Sequence, residues 1–132
     1  MGSTRTEQIE WHTNALPHAT KRALDFLSKQ TWLKRSPWYL AGGTALALHA
    51  GHRRSLDLDF FNPEGDFSLA ALLKHFSKDI WEADIVREGT VYGRLMGAKI
   101  SFIAYPFFNA KESYSWYGNV RIVVPRDIAV MK

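Results

Sequence analysis

Residues 40–61 read LAGGTALALHAGHRRSLDLDFF, and the architecture turns on them. Trp38-Tyr39-Leu40-Ala41 is a short apolar run that meets Gly42-Gly43, the pattern of a strand stopped by a tight turn. Thr44 follows as an N-cap residue, Ala45–Ala50 is built from good helix formers, and Gly51 ends the helix. Leu56-Asp57-Leu58-Asp59-Phe60 then alternates apolar and acidic residues, which predicts a strand with one buried and one polar face.

The chemistry follows from this order. Two glycines permit positive φ and let a bulky anion approach the backbone. A helix starting just after them points its free N–H groups and positive dipole end at the same spot, a seat for phosphate. Asp57 and Asp59 are two apart on a strand, so their carboxylates share a face, about 7 Å apart along the chain. Such a pair repels unless a cation bridges it, and hard oxygen ligands beside phosphate favour Mg²⁺ or Mn²⁺. Each part alone is common: a Gly-Gly pair is usually only a turn, and Asp-x-Asp is usually the wet face of a strand. Their succession in one strand–turn–helix–strand unit is what points to a site. Arg53 and Ser55 precede the acids. The plain reading of Arg53 and Arg54 is surface charge at a helix end, and the functional one is that Arg53 grips a triphosphate oxygen.

Outward from this unit, residues 7–34 read as one helix, with Leu16, Ala19, Ala23, Leu24 and Leu27 as its apolar stripe and Pro17 near its start. Ser36-Pro37 breaks it. Asn62–Gly65 is a turn, and Ser68 caps a second helix predicted to run to about Ile80. Strands are expected over 83–88, 90–96, 98–105 and 119–124, and a short helix over 126–132. Lys99 and Ser101 share one strand face and are expected to line the site. Tyr105, Phe107, Phe108, Tyr114, Trp116 and Tyr117 surround a turn. The plain reading is core plus a hairpin, and the sharper one is an exposed patch that favours a homo-oligomer.

Composition bounds the rest. The 132 residues make one domain, with 1–36 as an N-terminal helical segment and 37–132 as its core. With 46% hydrophobic and 23% charged residues, disorder and fibrous repeats are excluded. The absence of cysteine removes disulfides, thiolate metal sites and cysteine nucleophiles, and no apolar run is long enough to span a bilayer. The expectation is a cytoplasmic protein with no membrane partner. A net charge of +4 suits an anionic partner such as a nucleotide or RNA. Gly-x-Gly-x-x-Gly and P-loop motifs are missing, and His49 and His52 lack the companions a zinc site needs.

The segment GGTALALHAGHRRSLDLDFF resembles the nucleotidyltransferase superfamily, whose signature is a glycine pair, a short helix and Asp-x-Asp. More narrowly it is similar to the AbiEii/AbiGii-type toxins of type IV toxin–antitoxin systems. The likeness is strong over 39–61 and looser through KISFIAYPFF (99–108) and PRDIAVMK (125–132). It implies that Gly42, Gly43 and Thr44 face the nucleotide, that Arg53 and Ser55 hold phosphates, and that Asp57 and Asp59 bind the metal. Lys132 matches a lysine thought to touch the nucleotide or the acceptor. Many members carry a third carboxylate on a neighbouring strand, where this chain has Ser101, with Asp84 or Glu88 as substitutes that no spacing demands. The family also normally continues beyond residue 132 into a helical domain.

The expected fold is therefore α/β: a nucleotidyltransferase-type mixed, mostly antiparallel twisted sheet with helices packed on one side. The expected function is Mg²⁺-dependent transfer of a nucleoside monophosphate from an NTP to an acceptor hydroxyl, on RNA (tRNA ends in particular) or on protein. The protein would be the toxin-like component of a pair with a cognate antitoxin. The alternative is a degenerate nucleotide-binding or partner-binding module without catalysis.

Overall fold

The computed structural model describes residues 10–51, 57–106 and 114–124. A 3₁₀ turn (Thr13–Ala15) leads into α1 (His18–Ser28) and α2 (Thr31–Arg35). The chain continues through β1 (Tyr39–Ala41), α3 (Gly42–Ala50), β2 (Asp57–Asn62), α4 (Leu69–Leu73), β3 (Trp81–Arg87), β4 (Thr90–Leu95), β5 (Ala98–Ala104), β6 (Ser115–Tyr117) and β7 (Val120–Ile122). Among the described residues the strands form one sheet in the order β3-β4-β5-β2-β1-β7-β6. Four of its pairings are antiparallel, and β2–β5 and β1–β7 are parallel. The expected mixed, mostly antiparallel sheet is what forms.

The period-2 patterns decide which face is buried. Leu58 and Phe60 of β2 lie in register with Ile100 and Phe102 of β5, and all four are at most 2% exposed. Leu24 and Leu27 of α1 and Leu48 of α3 join them in one core, so the helices cover a single face. Phe102 is at the centre, with Trp38, Phe60, Phe76 and Trp81 around its ring. The opposite face carries Asp57, Asp59, Lys99 and Ser101.

Several local expectations need correction. The single helix over 7–34 is broken: α1 ends at Ser28 and α2 begins at Thr31. The cause is tertiary, because the β6–β7 turn docks there. Asn119 N–H donates to the Ser28 carbonyl at 2.8 Å, and a Cβ on Gly118 would lie 2.6 Å from that oxygen. Ser68 caps α4 as expected, its hydroxyl accepting from Ala71 N–H, but the helix stops at Leu73 and turns follow that bring Phe76 into the core. Thr44 is not the N-cap of α3. The helix starts at Gly42, with Ala41 before it in extended conformation. The strand β6 completes a hairpin with β7. The aromatic residues about that turn are largely packing: Tyr114 lies against Tyr39 and Tyr105 against Phe61, while Trp116 is 40% exposed under the Arg121 guanidinium. Phe107, Phe108 and the helix expected over 126–132 lie outside the described residues.

Candidate active site

The site is assembled where β1 bends into α3 beside β2. Gly42 takes φ +74°, a conformation that favours glycine, and a Cβ there would sit 2.8 Å from Asp59 Oδ2. The glycine is thus needed twice, for the bend and for the room it leaves the carboxylate. Ala41 pairs with Asp59 across the β1–β2 ladder, which fixes that proximity. Gly43 is partly exposed in the first turn of α3. Gly42, Gly43 and Thr44 therefore present the free backbone N–H end of a nine-residue helix next to Asp59. The Thr44 side chain has another task. It is fully buried and its hydroxyl donates to the Asp57 carbonyl, tying the first turn of α3 to the start of β2.

Asp57 and Asp59 share the open face of β2, in register with Lys99 and Ser101 of parallel β5. Asp57 is exposed and Asp59 partly buried. Ser101, itself buried, donates its hydroxyl to Asp59 Oδ1 at 2.8 Å. Burial pushes the Asp59 pKa up, the Ser101 hydrogen bond opposes that, and the neighbouring charge of Asp57 adds to it. Repulsion within a partly desolvated acid pair is the condition a bound cation relieves. The donor set fits: two hard carboxylates leave most coordination positions to water and phosphate, as Mg²⁺ prefers. Among the described residues no group of three His, Asp or Glu side chains could hold a metal.

An open cleft of about 280 Å³ adjoins the pair, lined by Asp57, Asp59, Lys99, Ser101, Tyr92, Asp84 and their neighbours. Asp84 thus reaches the site region, at a bulge between Ala83 and Ile85, but Arg94 binds its Oδ1 at 2.9 Å and Glu82 at 3.1 Å. Glu88 lies elsewhere, in a hollow with Asp66 and Phe67. Neither therefore stands free beside the pair as a third ligand. Sequence reasoning missed Tyr92 and Ile85. The alternation in β4 does mark Tyr92 as outward, but only the cross-strand register brings it beside Ser101. Arg53, Ser55 and Lys132 lie outside the described residues, as does His52. His49 is a packing residue: its Nε2 bonds the Val123 carbonyl at 3.0 Å and its ring lies 4.9 Å from that of Trp11.

Known proteins resemble this chain in sequence and in fold. A family model described as the nucleotidyl transferase AbiEii toxin of type IV toxin–antitoxin systems matches residues 25–124, well over half the chain. An uncharacterized protein of Aquifex aeolicus is 37% identical over 101 residues, covering 72% of this chain and 48% of that protein. Among solved structures, a candidate nucleotidyltransferase from H. pylori superposes with a TM-score of 0.53 at 19% identity, covering 83% of this chain and 57% of the other. JHP933 from Helicobacter pylori gives 0.56 at 17% identity, covering 88% and 56%. At that identity the two structures speak for the fold, and the chain spans about half the length of these relatives. No described helix is long and apolar enough to cross a membrane. The glycine bend, the paired aspartates and the matched sequence together place the chain in the AbiEii nucleotidyltransferase toxin family of type IV toxin–antitoxin systems.

Proposed function

We propose that this domain transfers a nucleoside monophosphate from an NTP to an acceptor hydroxyl, as the toxin of a toxin–antitoxin pair whose partner is a cognate antitoxin. The observation that carries this reading is how closely Asp59 approaches the Gly42 bend: a Cβ on that glycine would lie 2.8 Å from Asp59 Oδ2, so the bend that can seat phosphate and the acid that can ligate a metal stand side by side. Asp57 and Asp59 would hold Mg²⁺ or Mn²⁺, which when bound stabilises charge on the attacking and leaving oxygens of an in-line displacement. The chain's own groups do the rest. The N–H end of α3 at Gly42–Thr44 orients the outer phosphates, Ser101 holds Asp59 in place through Oδ1, and Lys99 supplies positive charge beside Asp57. Arg53, Ser55 and Lys132 are proposed as further phosphate or nucleotide contacts. The acceptor is RNA, including tRNA ends, or a protein hydroxyl, and the reaction takes place in the cytoplasm.

A second reading has its own observation. Ser101 pairs with Asp59 from the neighbouring strand, where the resemblance leads one to expect a third carboxylate, and a hydroxyl is a poor base and metal ligand, so a module that binds nucleotide without turning it over is the rival. Incubation with each α-labelled NTP, Mg²⁺ or Mn²⁺ and total RNA separates the two. Label that appears with wild type and vanishes in Asp57→Ala and Asp59→Ala is the expected result. No transfer, combined with NTP-dependent thermal stabilisation, selects the rival.

A further inference from the structure

The cleft runs away from the glycine bend. Ala41, Asp59, Ser101, Tyr92 and Ile85 are successive cross-strand partners, one row across β1, β2, β5, β4 and β3. The bend at Gly42 stands at one end of the row, Ile85 at the other, and Asp59 between them. Ile85 and Tyr92 are each 44% exposed, two of the few large apolar side chains left uncovered among the described residues. Both line the cleft that holds the carboxylates. Lys99 lines it too, is exposed, and joins no ion pair among the described residues. The far wall is electrostatically settled, because Arg94 binds Asp84 and Glu82.

In-line displacement at phosphorus puts the attacking and leaving oxygens on opposite sides. With the leaving phosphates over Gly42–Thr44, the attacking hydroxyl enters from the Ser101–Tyr92 side. We propose that Tyr92 and Ile85 are the platform for the terminal nucleoside of a nucleic-acid acceptor, its base stacked on Tyr92 and its backbone phosphate drawn to Lys99. The proposal rests on the phosphate seat assigned above. A cleft of about 280 Å³ takes one nucleoside rather than a folded chain, lying at the small end of ligand sites. An exposed aromatic–aliphatic pair beside a cation that joins no ion pair among the described residues matches a base and its phosphate. A serine or threonine hydroxyl on a peptide has no use for it.

The test pairs two readouts on the whole chain. One is fluorescence anisotropy of a short single-stranded oligoribonucleotide with Mg²⁺ present, and the other is transfer from α-labelled NTP to RNA. Tyr92→Ala is expected to weaken oligoribonucleotide binding about tenfold, the loss of one stacked base. It should raise KM for RNA similarly and leave KM for the NTP unchanged. Tyr92→Phe restores both, and Lys99→Ala weakens binding with a shallower salt dependence. Unaltered binding by Tyr92→Ala, no binding by wild type, or label on polypeptide instead of RNA overturns the proposal. Transfer that needs Asp57 and Asp59 but not Tyr92 removes the platform alone. Binding that needs Tyr92 without any transfer removes the donor reading and keeps the platform.

Discussion

The two faces of β2 and β5 are built from alternate residues of the same strands, yet they obey opposite rules. On one, Leu58, Phe60, Ile100 and Phe102 are sealed under α1 and α3. On the other, Asp57, Asp59, Lys99 and Ser101 border an open cleft with two like charges close together. The lesson is that cohesion and chemistry are divided by residue parity. Substitutions on the first face should cost stability, and those on the second should cost function.

The strongest attempt to break that division is Phe102→Ala. It removes a fully buried ring with four aromatic neighbours, so urea unfolding should show a loss of about 3–5 kcal/mol. A loss below about 1 kcal/mol would show that the covered face is not the cohesive one. Gly42→Ala lies at the junction of the two. Its positive φ and the 2.8 Å approach to Asp59 Oδ2 predict a cost of about 1–3 kcal/mol, together with at least a tenfold fall in transfer as the carboxylate is displaced.

A smaller effect is expected from the histidines. Burial lowers the pKa of His49, against the opposing Val123 hydrogen bond, and burial then Lys74 lower that of His75. A base whose folded pKa lies below its unfolded 6.5 is held neutral in the native state. Its contribution is complete above pH 6.5 and is lost as pH falls from there through the folded pKa. Melting temperature should therefore drop on acidification below pH 6.5, and His49→Gln should flatten part of that slope. The smallest change sharpens the comparison at its exception. Tyr39 belongs by register to the open face, but Phe61 and Tyr114 cover it, and its buried hydroxyl has no hydrogen-bond partner among the described residues. Burial, with Tyr114 and Tyr105 nearby, pushes its pKa up. Tyr39→Phe should leave stability unchanged or raise it by up to about 1 kcal/mol in denaturant titration.

Local rules made the centre of the fold readable. The glycine pair, the helix formers after it and the strict alternation of Leu56–Phe60 each act within a few residues, and the β1–α3–β2 unit follows from them. The apolar stripe of α1 was equally visible in Ala23, Leu24 and Leu27. What stayed hidden depends on partners distant in sequence. Nothing near Ser28 says that the Gly118–Asn119 turn will take its carbonyl and end the helix. Nothing near Thr44 says that its hydroxyl will turn inward to Asp57 rather than outward to a ligand. At the site, Asp57 and Asp59 were legible because period two is a property of one strand. Tyr92 and Ile85 were not, since a row across five strands exists only once register is set.

The claim beneath all of this is that Asp57 and Asp59 jointly hold a divalent ion next to the Gly42 bend. It is tested most directly by Mn²⁺ titration followed by electron paramagnetic resonance, in the presence of a non-hydrolysable NTP analogue, on wild type and on Asp57→Asn and Asp59→Asn. The expected result is Mn²⁺ bound tightly by wild type, more so with the analogue, and binding lost in either variant while its melting temperature is kept. Equal Mn²⁺ binding by all three proteins would contradict it.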